Sequence, residues 1–394
     1  MASDMESVRA RRARTAASGL VPFAAVAVVI AYLAGPGSGL AGLGTPLPEI
    51  TIEQVDFVDG EIRATVRNTG PMPVDVVIAD VNDRIQPAAI EPDKHLERFE
   101  TAVVRIPFPW NEAEPYRIGL TIDDGTRFER EVEAAAPAPE AGLELLGSLA
   151  LIGTYVGIVP VMLGLAWLPF IRRISGRHYA FFLSITVGLL LFLGIDAIEE
   201  AAEVADENLS ESFNGLLLIA TVTTLSFLAL YYAGGRLAAA GKSGLQKPMA
   251  VGLMIAVGIG LHNLGEGLAI GAAIGLGQAA LGAFLIVGFA LHNTTEGMAI
   301  AAPASRAGAT VPMLAALGLM AGAPAILGAW IGGFFYSPFS AVIFLSVGAG
   351  AILQVMVVVL RWIRGQDGVG LSGAPVAAGI ATGMAVMYLT SIII

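Results

Sequence analysis

Leu261-His262-Asn263-Leu264-Gly265-Glu266-Gly267-Leu268-Ala269-Ile270 recurs 30 residues later as Leu291-His292-Asn293-Thr294-Thr295-Glu296-Gly297-Met298-Ala299-Ile300. Each copy lies inside an apolar stretch, residues 249–273 and 279–303, long enough as a helix to cross about 30 Å of hydrocarbon. Each places a His and a Glu at i and i+4 on one helix face, with an Asn beside them at i+1. Ionisable groups at membrane depth cost roughly 2.5 to 3.5 kcal/mol each on insertion scales, and they persist where they face a bundle interior or an ion pathway. The repeated phrase therefore implies a membrane bundle with an interior, and an interior that carries imidazole and carboxylate.

The rest of the chain agrees with a polytopic membrane protein. Of 394 residues, 55% are hydrophobic and only 14% charged, with a mean hydropathy of +0.73, far from a soluble globular domain. Eight spans are expected, at about 143–171, 179–198, 213–235, 249–273, 279–303, 311–334, 338–360 and 373–394. The 48 glycines suit close helix contact in lipid, where association depends on backbone approach. Arg172, Arg173 and Arg177 fall in the first connection, Arg236, Lys242 and Lys247 in the third, Arg306 in the fifth, and Arg361 and Arg364 in the seventh. The even connections have no Lys or Arg, and the one around Glu203 to Glu211 is acidic. The positive-inside rule then puts the odd connections in the cytoplasm and both ends of the bundle outside.

Residues 1–18 form a basic tail with Arg9, Arg11, Arg12 and Arg14, and an apolar run follows within residues 19–35. A basic start suits a signal peptide as well as an anchor. No small-x-small cleavage site follows the run, so an uncleaved transmembrane anchor is the expectation, with the N-terminus cytoplasmic. Residues 46–135 differ in kind. Glu49 to Phe57, Ile62 to Val66, Val74 to Val81, Ala102 to Ile106, Tyr116 to Ile122 and Phe128 to Val132 alternate or are β-branched, and Asp59-Gly60 and Asp124-Gly125 supply tight turns. An extracytoplasmic β-sandwich of immunoglobulin-like type is expected, joined by a linker at 136–142 to an all-α bundle at 143–394.

Imidazole nitrogen and carboxylate oxygen together suit Zn²⁺, Fe²⁺, Mn²⁺, Co²⁺ and Cd²⁺, and a dication offsets the cost of buried carboxylates. The chain has no cysteine, so thiolate sites and disulfides are excluded. Two of its four histidines fall in the repeated phrase; His178 lies in a basic loop and His95 in the β-region. A purely structural role, with these groups hydrogen-bonding across helices as packing, would need neither the acid nor the repeated spacing.

His-Asn-x-x-Glu-Gly occurring twice, 30 residues apart, in the fourth and fifth of eight spans, resembles the metal-transport signature of the ZIP family, particularly its bacterial branch. The resemblance covers residues 143–394 and not the anchor or the β-region. It implies that His262, Glu266, His292 and Glu296 are transport-site ligands, with Asn263 and Asn293 in an adjacent site that shares Glu296. It also implies alternating-access transport of a divalent cation, Zn²⁺ first, across the plasma membrane. The chain departs from the family where Gly265 and Thr295 replace a common proline, and where Gly322 to Gly328 lacks an acid. Gln354 is the strongly polar interior residue of the seventh span.

Asp196, Glu199 and Glu200 close the second span as a candidate acidic entrance that concentrates cations, with Asp196 the member expected to be buried. Met254 and Met298 read as packing, and Glu91, Asp93 and His95 as a surface loop. No protease, phosphate-loop or Ser/His/Asp motif points to an enzyme or a catalytic cofactor, and a net charge of −11 argues against nucleic acid. Expected partners are the cation, the bilayer and, as a candidate, a second copy of the chain. The alternative function is a non-transporting membrane metal sensor.

Overall fold

The computed structural model describes residues 24–29, 32, 47–139, 142–174, 176–209, 214–239, 247–365 and 373–393. The basic tail lies outside the described residues, as does most of the expected anchor, of which residues 24–29 and 32 are helical.

Nine strands follow among the described residues: β1 Ile50–Val58, β2 Glu61–Asn68, β3 Val74–Val81, β4 Arg84–Gln86, β5 Ala89–Glu91, β6 His95–Leu96, β7 Thr101–Pro107, β8 Tyr116–Ile122 and β9 Arg127–Val132. They form two antiparallel sheets, ordered β1-β2-β7-β5 and β4-β3-β8-β9, with β6 paired to β3. Alternation drives this arrangement. Ile62, Ala64 and Val66 of β2 point inward with Val104 and Ile106 of β7 and meet Ile118, Leu120 and Ile122 of β8 in one core. Gly60 (φ +69°) turns β1 into β2, and Gly125 (φ +91°) turns β8 into β9. The three strands that alternation does not predict, β4, β5 and β6, have two or three residues each, too few to display a period of two.

Eight helices make the bundle among the described residues: α1 Leu143–Ile171, α2 Gly176–Asn208, α3 Gly215–Ala239, α4 Lys247–Gly275, α5 Ala279–Arg306, α6 Val311–Phe335, α7 Pro338–Arg364 and α8 Ala374–Ile393. Seven are long and apolar enough to cross a membrane, as an integral membrane protein requires. The other is α5, whose middle is the polar run His292-Asn293-Thr294-Thr295-Glu296. Two of the seven are interrupted. Thr154–Ile158 of α1 is a π-turn just before Pro160, and α6 breaks at Ala323 before Pro324, because proline cannot donate to the ladder.

The motif helices pack on these interrupted ones through glycine seams. A Cβ on Gly164 or Gly297 would lie 2.0 or 2.1 Å from a backbone carbonyl across the α1–α5 seam, and one on Gly267 or Gly328 would lie 2.1 or 2.0 Å from a carbonyl across the α4–α6 seam. Only glycine lets these backbones approach so closely.

Connections alternate between the two ends of the bundle. Asn208 at the end of α2, Gly277 between α4 and α5, and Tyr336 between α6 and α7 all lie at the end where the β-region sits, near Arg130 or Ala136. At the opposite end the helices close on one another. Tyr179 is 2% exposed and donates to the Ala302 carbonyl at 3.0 Å. Trp362 Nε1 donates to the Tyr179 hydroxyl at 3.2 Å, and the Arg306 guanidinium stacks 4.3 Å over the Tyr179 ring.

The second span runs ten residues beyond its expected end at 198. Glu203, Asp206 and Glu207, expected in the connection, are helical. The reason is the alanine stripe between them. Ala197, Ala201 and Ala205 are buried, the last two against Ile219, Val342 and Leu345, so the helix has an apolar face that continues past the expected boundary.

Candidate metal site

Halfway along the bundle, α4 and α5 bring His262, Glu266 and His292 together. One ligand atom from each lies within 4.8 Å of the others, and all three residues are buried. Glu266 is the hub. Its Oε1 is 2.5 Å from His292 Nε2 and 2.9 Å from His262 Nε2, and its Oε2 accepts from Asn293 Nδ2 at 3.0 Å. The His262 contact is close but out of hydrogen-bond alignment, so that Nε2 accepts and donates no hydrogen bond. The Phe289 ring, 5.5 Å from that of His292, backs the imidazole.

Glu296 is buried at 2% exposure yet stands apart from the three-residue cluster. It lies beside Asn263 on the facing helix, and neither of its oxygens accepts a well-formed hydrogen bond. The two motif copies thus cross over: Glu266 of the first meets Asn293 of the second, and Glu296 of the second meets Asn263 of the first.

Each Asn is also tied to an interrupted helix. Asn293 Nδ2 donates to the Val156 carbonyl in the π-turn of α1, and Asn263 Nδ2 donates to the Ala321 carbonyl beside the break in α6, both at 3.1 Å. Pro160 has no N–H for the Val156 carbonyl four residues earlier, which leaves that oxygen available. Sequence reading alone misses these backbone partners. Pro160 and Pro324, each inside an apolar span, are the signals that point toward them.

Among the described residues, the buried side-chain atoms without a hydrogen-bond partner are His262 Nε2, Asn263 Oδ1, Asn293 Oδ1, both Glu296 oxygens and Ser346 Oγ. Five of these six belong to the repeated motif. All five are lone-pair atoms of the kind that ligate hard or borderline cations, whereas buried polar atoms are ordinarily paired. A cluster of this composition fits metal binding.

A cavity of about 590 Å³ leads from the β-region end down to His292. One wall is the acidic stripe of α2, where Asp196, Glu199, Glu200, Glu203 and Glu207 recur about once per turn. The facing wall is apolar, with Leu268, Ala272, Leu285 and Phe289 of α4 and α5. Asp196, expected to be the buried member, is exposed to this cavity, and Glu200 is the more covered; the extension of α2 moves the acids from the rim onto the wall.

The remaining candidates fall elsewhere. Gln354 and Met254 both lie beside Gly234 of α3, where they pack helices. His178 is exposed next to the far-end arginines. His95 pairs with Asp75 at 2.6 Å on the β-region surface.

No protein-family model matches the chain, and no curated protein does.

Proposed function

We propose that this chain is a ZIP-type transporter of a divalent transition-metal cation, Zn²⁺ before Fe²⁺, Mn²⁺, Co²⁺ or Cd²⁺, working by alternating access through the α4–α5 site. The observation that carries the proposal is the buried cluster of His262, Glu266 and His292, whose His292 lines the inner end of an acid-walled cavity. Nitrogen and oxygen ligands about 2.0 to 2.1 Å from a tetrahedral cation stand about 3.4 Å from one another. Glu266 Oε1, at 2.5 Å from one imidazole nitrogen and 2.9 Å from the other, is within about 1 Å of that spacing, and the three ligand atoms all lie within 4.8 Å of one another. Two buried glutamates with no buried Lys or Arg beside them among the described residues favour an ion of charge +2, which offsets their desolvation.

In this reading a cation collects along the acidic stripe of α2, exchanges water for the imidazoles and Glu266, and stops where the helices close around Tyr179, Ala302 and Trp362. Passage requires that closure to open while the cavity shuts. Through their backbone partners, Asn263 and Asn293 hold the motif helices to the interrupted α6 and α1, so each pair would move as a unit.

Loop charge supports an orientation with the arginine-rich end cytoplasmic and the β-region and C-terminus outside the cell membrane. The strand order, and the Tyr116 hydroxyl accepting from the Asn111 amide at 2.8 Å across the corner before β8, favour an immunoglobulin-type sandwich.

The decisive experiment is flux into proteoliposomes across Zn²⁺, Fe²⁺, Mn²⁺, Co²⁺ and Cd²⁺. Saturable uptake that Glu266→Gln abolishes is the expected result. Binding without uptake would favour the sensor alternative, for which the acid-free run Gly322 to Gly328 speaks.

A further inference from the structure

The acid-lined cavity contains one Lys or Arg among its described lining residues, Arg130, and this residue belongs to the β-region rather than to the bundle. Its Nη1 lies 2.7 Å from the Ile52 carbonyl and 2.9 Å from the Glu53 carbonyl of β1, and 3.2 Å from Asn208 Oδ1 at the end of α2. One guanidinium nitrogen thus joins the edge of a sheet to the rim of the cavity. Glu207 and Tyr336 line the same rim. Burial pulls the Arg130 pKa down while Tyr336, Glu207 and Glu53 oppose the fall, and a guanidinium stays charged throughout the physiological range.

We propose that Arg130 is an electrostatic gate on the cavity, a cation tethered by the β-region across an acidic mouth, which sets how readily positive ions reach His292. The physical reason is the field. A cleft lined by five carboxylates attracts cations of every kind, and a fixed positive charge at its rim cancels part of that attraction in proportion to the charge of the visitor. Because Arg130 is held by backbone carbonyls of β1, the strength of the gate follows the docking of the β-region. The β-region thereby regulates access to a site to which it contributes no ligand. The inference rests on the reading of the cavity as a cation path.

The absence of cysteine allows a direct test. Ala269 lines the cavity and is only partly buried, so Ala269→Cys in the full-length protein reports access to its floor. Its labelling rate is measured with a cationic ethyltrimethylammonium, an anionic ethylsulfonate and a neutral methyl methanethiosulfonate. Arg130→Gln should speed the cationic reagent by roughly threefold to tenfold, slow the anionic one comparably and leave the neutral one within about twofold. Arg130→Lys should follow the parent. Unchanged rates for both charged reagents would overturn the gate. Equal acceleration of all three would also overturn it, since Arg130 would then be a steric plug. Labelling requires no metal. Charge-selective labelling in a protein that carries no Zn²⁺ would refute the transport reading alone, and Zn²⁺ flux without charge selectivity would refute the gate alone.

Discussion

His292 Nε2 is bonded at 2.5 Å to Glu266, the acid of the other motif copy, and not to Glu296, its own neighbour one turn along α5. The two helices therefore share one carboxylate as a hub, and the second glutamate occupies a separate buried position beside Asn263. The repeated spacing makes the copies look equivalent; the structure makes them unequal.

That inequality ranks the acids. Glu266→Gln removes the hub from both imidazoles and should reduce Zn²⁺ affinity by more than about a hundredfold, whereas Glu296→Gln should cost about tenfold to a hundredfold, as an outer partner does. Isothermal titration on the purified variants measures both. An equal loss in the two, or a larger loss in Glu296→Gln, would mean that Glu296 ligates directly.

The glycine seams can be probed without touching a ligand. A Cβ at Gly164 or Gly297 would press on a backbone carbonyl at 2.0 or 2.1 Å, while one at Gly147 of α1 would meet nothing within 4 Å. Gly164→Ala and Gly297→Ala should each destabilise the bundle by about 1 to 3 kcal/mol through overpacking. Gly147→Ala should be neutral or stabilise by up to about 1 kcal/mol. Thermal denaturation in detergent ranks the three, and indifference at Gly297 would refute the close approach of α1 and α5.

Topology has a labelling test in which a membrane-impermeant thiol reagent is applied to either face of sealed vesicles. Cysteines placed at Asp124 of the β8–β9 turn and at Gln278 between α4 and α5 should react from one side, the extracytoplasmic one, and a cysteine at Gly308 between α5 and α6 from the other. Reaction of Asp124→Cys and Gly308→Cys from the same side would break the alternation.

The β-region carries its own titration. Asp75, 2.6 Å away, raises the His95 pKa above its ordinary 6.5, and the Asp75 carboxyl is held below its ordinary 3.8 by His95 and then Lys94. The imidazolium therefore stabilises the folded state fully below pH 6.5, and this is lost as pH rises through the elevated pKa. The Asp75 contribution is present above 3.8 and lost as pH falls through its depressed value. Nuclear magnetic resonance should find a His95 pKa above 6.5 that falls back in Asp75→Asn. The stability difference between the parent and His95→Gln should fade as the solution turns alkaline; a difference that persists there would locate its origin elsewhere.

Much of this protein was decided by local pattern. Apolar length marks the helices, because hydrocarbon cannot hydrogen-bond a backbone. Alternation over β1, β2, β3, β7, β8 and β9 marks the longer strands, because a half-buried sheet has a period of two. The 3.6-residue turn puts His262 with Glu266, and His292 with Glu296, on common faces whatever else the chain does. Tertiary structure alone decided which groups meet across helices: that Glu266 serves both imidazoles, that Asn263 and Asn293 reach carbonyls beside Pro324 and Pro160, that α2 carries its acids onto a cavity wall, and that Arg130, more than 60 residues before the first of these acids, stands at the mouth. Those relations depend on helix rotation and separation, set by the glycine seams and by how far each backbone can approach the next, and no local period encodes them.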